Sequence, residues 1–272
     1  MSGATEASTI GALALASAVP SPIEPGKVYS VIVPAGAEQV DIDLTGSEFV
    51  ERPSRARGKV AVHSAESLIA FLGKHGLPES EVWADRINHR IVAVVNAGQG
   101  SDGAPGWGDH LAVFNVQLTT AWQAWIRHDG KWLGQTEFAE HIEDRLLDIV
   151  KPTGAEMLEI AQSFHASTGA KFESSHRLSS GEGQLEYRET IEATAGKAGR
   201  LTIPSHIELG LKPFEGAPAY KVTARFRYRI NGGSLRLAYA LERPDEVINE
   251  AFDAVVSKVQ EAVTQPVFFG AP

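Results

Sequence analysis

Cysteine is absent from the 272 residues. Its absence excludes disulfides, a thiol nucleophile and any cysteine-ligated zinc site, and it suits a reducing compartment. Also missing is any apolar run near the ~20 residues that span a bilayer, so no integral membrane protein is expected. Positive charge is in deficit: 25 Lys and Arg face 34 Asp and Glu, a net charge of -9. That balance argues against an undifferentiated nucleic-acid coat, because phosphate binding needs clustered cations, yet it leaves a local basic face open. Residues 9–19 are apolar and small like a signal-peptide core, but residues 1–8 carry Glu6 and no Lys or Arg. A signal peptide needs a positive end, so this segment reads as an Ala/Ser-rich arm. Neither a nucleophile elbow nor a phosphate loop occurs, which weakens an enzymatic reading without excluding one.

What is present is an ordinary globular balance, 43% hydrophobic and 22% charged, enough for a sizeable core. Residues 1–27, punctuated by Pro20, Pro22 and Pro25, form the expected N-terminal arm, and 28–272 a single body. Val28–Val33 and Val40–Leu44 read as strands around a turn at 34–36, and Lys59–His63 as another. Ser64 is placed to cap a helix with Leu68, Ile69, Phe71 and Leu72 on its buried stripe, ended by Gly76 and Pro78. Glu81–Ile87 and Arg90–Asn96 read as a strand pair and Leu111–Leu118 as a further strand. A helix opening at Thr136 with Phe138, Ile142, Leu146, Ile149 and Val150 at helical spacing is expected to stop at Pro152. Gly154–Ser167 repeats the pattern. Strands at 171–178, 184–193 and 201–211 follow, then a hairpin over 220–242 and an amphipathic helix over 245–263. The fold class expected is α+β: an antiparallel, hairpin-rich sheet with packed amphipathic helices and an arm.

The hairpin is the clearest local pattern. Val222, Ala224, Phe226, Tyr228 and Ile230 alternate with polar residues, and Leu235, Leu237, Tyr239 and Leu241 alternate on the return. Asn231, Gly232 and Gly233 supply the positive-φ positions a tight hairpin demands. Arg225, Arg227, Arg229 and Arg236 then share the other face, in a stretch from Lys221 to Arg243 with six basic residues and one acidic, Glu242. Pairing with outward glutamates such as Glu186 and Glu192 on a neighbouring strand, or with the acidic final helix, is the plain reading of that face. Nucleic-acid phosphate or an acidic patch on another subunit is the functional one.

Other constellations carry weaker chemistry. Gly98, Gly100 and Gly103 match a dinucleotide fingerprint, but Pro105 and Gly106 follow where a helix must begin, so a surface loop is expected. Asp109 with His110, and Glu140, His141, Glu143 and Asp144, gather carboxylates with imidazoles. Only Glu137 shares a helical face with His141, so His141 reads as the solvated side of its helix, with no metal and no cofactor expected. Trp107, Trp122, Trp125 and Trp132 are dense enough for a core, a subunit interface or a base-stacking platform, and burial in core or interface is the favoured reading.

The segment from Trp107 to Pro152, with Trp122, Trp125, Trp132 and Phe138–Asp144, follows Arg55, Arg57 and Gly58 and precedes Leu201–Pro204 and Phe214–Gly216. In that order it resembles the YfdQ-like family of phage and prophage proteins, a domain of unknown function, from about residue 52 to 263. The resemblance implies a phage- or prophage-encoded cytosolic protein of unassigned biochemistry. These are aromatic and turn positions, which mark a lineage rather than a reaction. The expected function is a non-enzymatic homo-oligomer, a ring or shell whose arm and aromatics join subunits, by analogy of architecture with capsid or encapsulin-like compartments. The alternative is a recombination or replication accessory touching DNA through the arginine face; an enzyme using Asp109, His110 or His141 comes third.

Overall fold

Period-two segments of the chain become sheets and period-3.6 segments become helices laid on them. The structure, a computed structural model, describes residues 8–12, 23–33, 38–46, 48–53, 55–99, 104–174, 185–195, 202–231 and 234–272. Residues Met1–Gly58 and Lys59–Pro272 form two compact units. In the first, a one-turn helix, α1, covers residues 8–12. There β1 (Val28–Val33) pairs antiparallel with β2 (Glu38–Asp43), Val28 opposite Asp43. The Gly26 N–H donates to the Leu44 carbonyl at 2.8 Å, and the Leu44 N–H to that of Lys27 at 3.0 Å, closing the open end. The body was expected to begin at residue 28; among the described residues β1 and β2 pair only with each other. The expected turn at 34–36 lies outside the described residues.

The second unit holds two five-stranded sheets. Along the chain come β3 (Gly58–Val62), α2 (Ala65–His75), β4 (Glu81–Asp85), β5 (Arg90–Val94), β6 (Gly98–Gln99), β7 (Ala104–Pro105) and β8 (His110–Asn115). Then follow α3 (Thr120–His128), β9 (Leu133–Gly134), α4 (Gln135–Glu143), a 3-10 turn at Leu146–Asp148, β10 (Ile149–Lys151) and α5 (Gly154–Ser163). Next are β11 (His165–Ser174), β12 (Leu185–Thr194), β13 (His206–Leu211), β14 (Tyr220–Asn231), β15 (Ser234–Leu241), α6 (Pro244–Ala262) and β16 (Val267–Phe269). The mixture of helices with antiparallel and mixed sheets is the α+β class expected.

One sheet runs β16-β4-β5-β8-β3, antiparallel at β4–β5 and β5–β8 and parallel at β16–β4. Ser64 caps α2 as expected: its hydroxyl accepts from the Ser67 N–H at 3.1 Å, satisfying a first-turn amide that the helix cannot. The Gly76 N–H returns to the Leu72 carbonyl and ends the helix. Leu68 and Leu72 of α2, with Phe252, Val256 and Val259 of α6, bury against Val82, Ile91, Ala93, Ala112 and Phe114 of the strands. The other sheet runs β10-β13-β14-β15-β9, and α3, α4 and α5 cover its inner face. Leu118 and Ile248 touch both cores and join them. The Gln135 side-chain amide donates to the carbonyls of Ala161 and Phe164, satisfying backbone acceptors at the end of α5.

Tertiary context moved several boundaries. The helix expected to reach Pro152 ends at Glu143, because Ile149 leaves the helical row to pair with Leu209 of β13. Leu147 is consequently 100% exposed and Val150 62%. The next helix stops at Ser163 rather than Ser167, and the chain turns into β11. The strand expected from 201 starts at His206. Helix α3 was not foreseen, although Thr119 announces it by accepting from the Trp122 N–H at 3.1 Å.

Candidate functional site

Cross-strand register places Arg225, Arg227, Arg229 and Arg236 in one row of the β14–β15 pair. Ala224 lies opposite Leu241, Phe226 opposite Tyr239 and Tyr228 opposite Leu237 on the inner side. Between them Arg225 lies opposite Ala240, Arg227 opposite Ala238, and Arg229 opposite Arg236. On the far side of β14, Arg225 faces His206 and Thr223 faces Glu208 of β13. The hairpin turn itself, at 232–233, lies outside the described residues.

β15 pairs in turn with β9, Arg236 opposite Gly134 and Leu237 opposite Leu133. Trp132 immediately precedes β9. The guanidinium carbon of Arg229 sits 4.1 Å from the centre of the Trp132 ring, and that of Arg227 sits 5.2 Å away. Both distances are within cation–π range. Ala238, opposite Arg227 in the same row, is 1% exposed.

Among the residues whose side chains are described, only part of this charge is balanced. Lys221 pairs with Glu208 at 2.9 Å, and this bond holds the Glu208 carboxyl below its usual range. Arg225 and His206 both approach Glu242, at 3.7 and 3.8 Å. Among the residues whose side chains are described, no carboxylate lies within 4.0 Å of Arg227, Arg229 or Arg236. Of the expected neighbours, Glu186 and Glu192 belong to β12, which pairs with β11, and their side chains lie outside the described ones. Of the acids on α6, Asp253 binds Arg86 at 2.5 Å and Glu246 binds Arg243 at 3.4 Å. Arg229 and Arg236 are therefore like charges directly opposite on one face, an arrangement that destabilises a sheet unless something neutralises it.

The four tryptophans separate. Trp122 and Trp125 are 2% and 0% exposed inside the core, so they offer no surface to a partner subunit or a base. The reason is α3, whose three-residue spacing lays both indoles on its inner face. Trp125 also donates from Nε1 to Asp148 Oδ2 at 2.9 Å. Trp107 is 67% exposed in the loop before β8, and Trp132 is half-buried beneath the arginines.

His141 is not on a solvated face. It is buried with Phe138, Ala139 and Ile142, stacked on Tyr239 with ring centres 5.6 Å apart and beside His128 at 4.8 Å. The Tyr239 hydroxyl gives its proton to the Trp125 carbonyl at 2.7 Å, so His141 Nε2, 3.2 Å away, must carry the hydrogen between them. Burial first, then His128 and Arg145, push the His141 pKa down to about 4, against the opposing pull of Asp144. Burial likewise raises that of Tyr239.

Asp109 and His110 lie in other surroundings. Asn96 donates to Asp109 Oδ1 and accepts from the His110 N–H, both at 2.9 Å, while the His110 ring packs near Phe71 and His75. The two imidazole–carboxylate groups are thus packed against different helices and do not converge. Among the described residues, no group of three or more His, Asp or Glu could hold a metal ion. Gly98–Gln99 pairs back on Ala104–Pro105, so a strand stands where a dinucleotide motif needs a helix; residues 100–103 lie outside the described residues. What sequence reading missed was Trp132 as the pad of the arginine face. The period-two pattern of the short strand that follows it was the only available signal.

A family model described as "Uncharacterized conserved protein (DUF2303)" matches residues 3–272, and the chain belongs to that family. No curated protein and no solved structure matches it.

Proposed function

We propose that this protein binds the phosphodiester chain of a nucleic acid on the outer face of the β14–β15 hairpin, as a phage- or prophage-encoded accessory of DNA or RNA handling in the bacterial cytoplasm. The observation that carries this reading is the trio Arg227, Arg229 and Arg236, adjacent on one sheet face and lacking a carboxylate within 4.0 Å among the residues whose side chains are described. Like charges held opposite each other are costly in the free protein and favourable once an anion lies across them. The phage lineage rests on the resemblance of the Trp107–Pro152 segment. Among the described residues no helix is long and apolar enough to cross a membrane.

Fluorescence anisotropy with a labelled single-stranded oligonucleotide tests the reading. The affinity should fall with salt, with a slope of about -0.7 per phosphate neutralised. Arg227→Gln, Arg229→Gln and Arg236→Gln together should flatten that slope by about two. Absence of any salt-dependent binding between about 50 and 200 mM salt would overturn the proposal.

Self-assembly into a ring or shell is a second reading, supported by the sheet edges. The edge strands β10 and β16 leave Val150 62%, Phe268 40% and Phe269 62% exposed, beside the fully exposed Leu147. Unpaired edges with apolar side chains are templates for another chain. Light scattering should then report a multiple of the 29.2 kDa chain mass. A monomer at tens of micromolar removes this reading and leaves the first untouched.

A further inference from the structure

We infer that the ligand is read through its backbone alone, without base contacts, and that Trp132 is a positioning residue that holds two guanidinium planes rather than a platform for bases. The inference rests on the phosphodiester reading above and specifies which part of the nucleic acid is recognised. An exposed tryptophan beside arginines is the usual composition of a base-stacking site. Here the geometry assigns the ring a different task. Arg229 and Arg227 both lie within cation–π range of it. A base could take the ring only by displacing arginines that the ring attracts.

Stacking leaves the guanidinium groups functional. The cation–π contact uses the face of the planar group, while its five N–H donors lie in the plane and remain available. Two long side chains that would otherwise sample many rotamers are held against one rigid surface, so less freedom is lost when an anion binds. The placement of the charges fits a chain of phosphates. Arg225, Arg227 and Arg229 recur every second residue along β14, about 7 Å apart. Arg236 doubles the row at the Arg229 end. Glu208 and Glu242, already paired to Lys221 and to Arg225 with His206, border the row on one side. A ligand meeting only N–H forks in a row presents oxygens at regular intervals, and its bases point away from the sheet.

Three measurements on the full chain separate this from a base platform. First, an abasic oligodeoxynucleotide should bind within about twofold of an oligothymidylate of equal length, since phosphate contacts carry no sequence information. Second, Trp132→Leu should weaken binding of both by about fivefold to tenfold while leaving the salt slope unchanged, because the cations remain but are no longer held. Trp132→Phe, which keeps an aromatic face, should restore most of that loss. Third, Arg227→Lys with Arg229→Lys keeps the charge and the indole but loses the planar stack. It should reproduce the Trp132→Leu result, and it guards against a Trp132 variant that merely unfolds. If the abasic strand fails to bind while the base-containing strand binds with a salt slope, the inference is wrong and the phosphodiester reading stands. If neither binds, both fall. A Trp132→Leu protein that folds and binds as tightly as the wild type would also overturn the positioning role.

Discussion

Replacing Trp125 with alanine is expected to cost about 3–5 kcal/mol of folding stability, measured by chemical denaturation. Trp125 is 0% exposed and packs against Tyr239 and His141 with ring centres 4.9 Å away in each case. Truncation leaves a cavity that the surrounding elements cannot fill, since α3, α4 and β15 are each held by their own backbone bonds. It also leaves Asp148 without the indole N–H now donated at 2.9 Å. Trp125→Phe separates the two effects: most of the volume returns but not the donor, so a loss of about 2 kcal/mol is expected. Against a total stability on the order of 5–15 kcal/mol, the alanine variant should be visibly destabilised at ordinary temperature. A loss under about 1 kcal/mol would contradict the burial of this side chain.

Acidification should destabilise the protein through His141. In the folded state its pKa is pushed down to about 4 from an ordinary value of 6.5. Below about pH 6.5 the unfolded chain takes up a proton that the folded chain refuses until about pH 4, so the unfolded state binds more protons in that window. Stability therefore falls as pH drops from about 6.5 to about 4 and takes no further change from this group below that. At 1.36 kcal/mol per pKa unit the full effect is at most about 3 kcal/mol, reduced by whatever solvent reaches the ring. His128 and Arg145 act in the same direction as burial, and Asp144 opposes them. Carboxylates with lowered pKa, such as Glu156 and Glu208, add an acid sensitivity of their own. The informative quantity is thus the difference between wild type and His141→Gln, whose amide still reaches the Tyr239 hydroxyl. The difference should grow across the window; parallel stability curves between pH 7 and 4 would show that His141 is not held neutral by burial.

His141 also illustrates where reading the chain stops. Its neighbours Glu140, Glu143 and Asp144 are polar, and a helix taken alone puts such a residue toward solvent. Tyr239, nearly a hundred residues further on, turns that face inward by offering a stacking ring and a hydroxyl. The same holds for Ile149 and Val150. Their spacing fits a helix, but the pairing of Ile149 with Leu209 removes the segment to a sheet edge. Propensity within a few residues competes there with a ladder that only the folded chain supplies.

Local chemistry determined what lies within one element. Ser64 and Gly76 bound α2 because capping involves atoms a few residues apart, and the alternation from Val222 to Leu241 put four arginines on one face because side chains on a strand point alternately. The absence of cysteine and of a membrane-length apolar run set limits of composition that no fold can alter. Tertiary structure alone decided which of the arginines pair with a carboxylate among the described side chains, and that Trp132 rather than Trp122 or Trp125 joins them. Those outcomes depend on the register of β9 on β15 and on the orientation of α3. Both are set by cross-strand hydrogen bonds and buried contacts between segments distant in sequence, which no short-range pattern along the chain encodes.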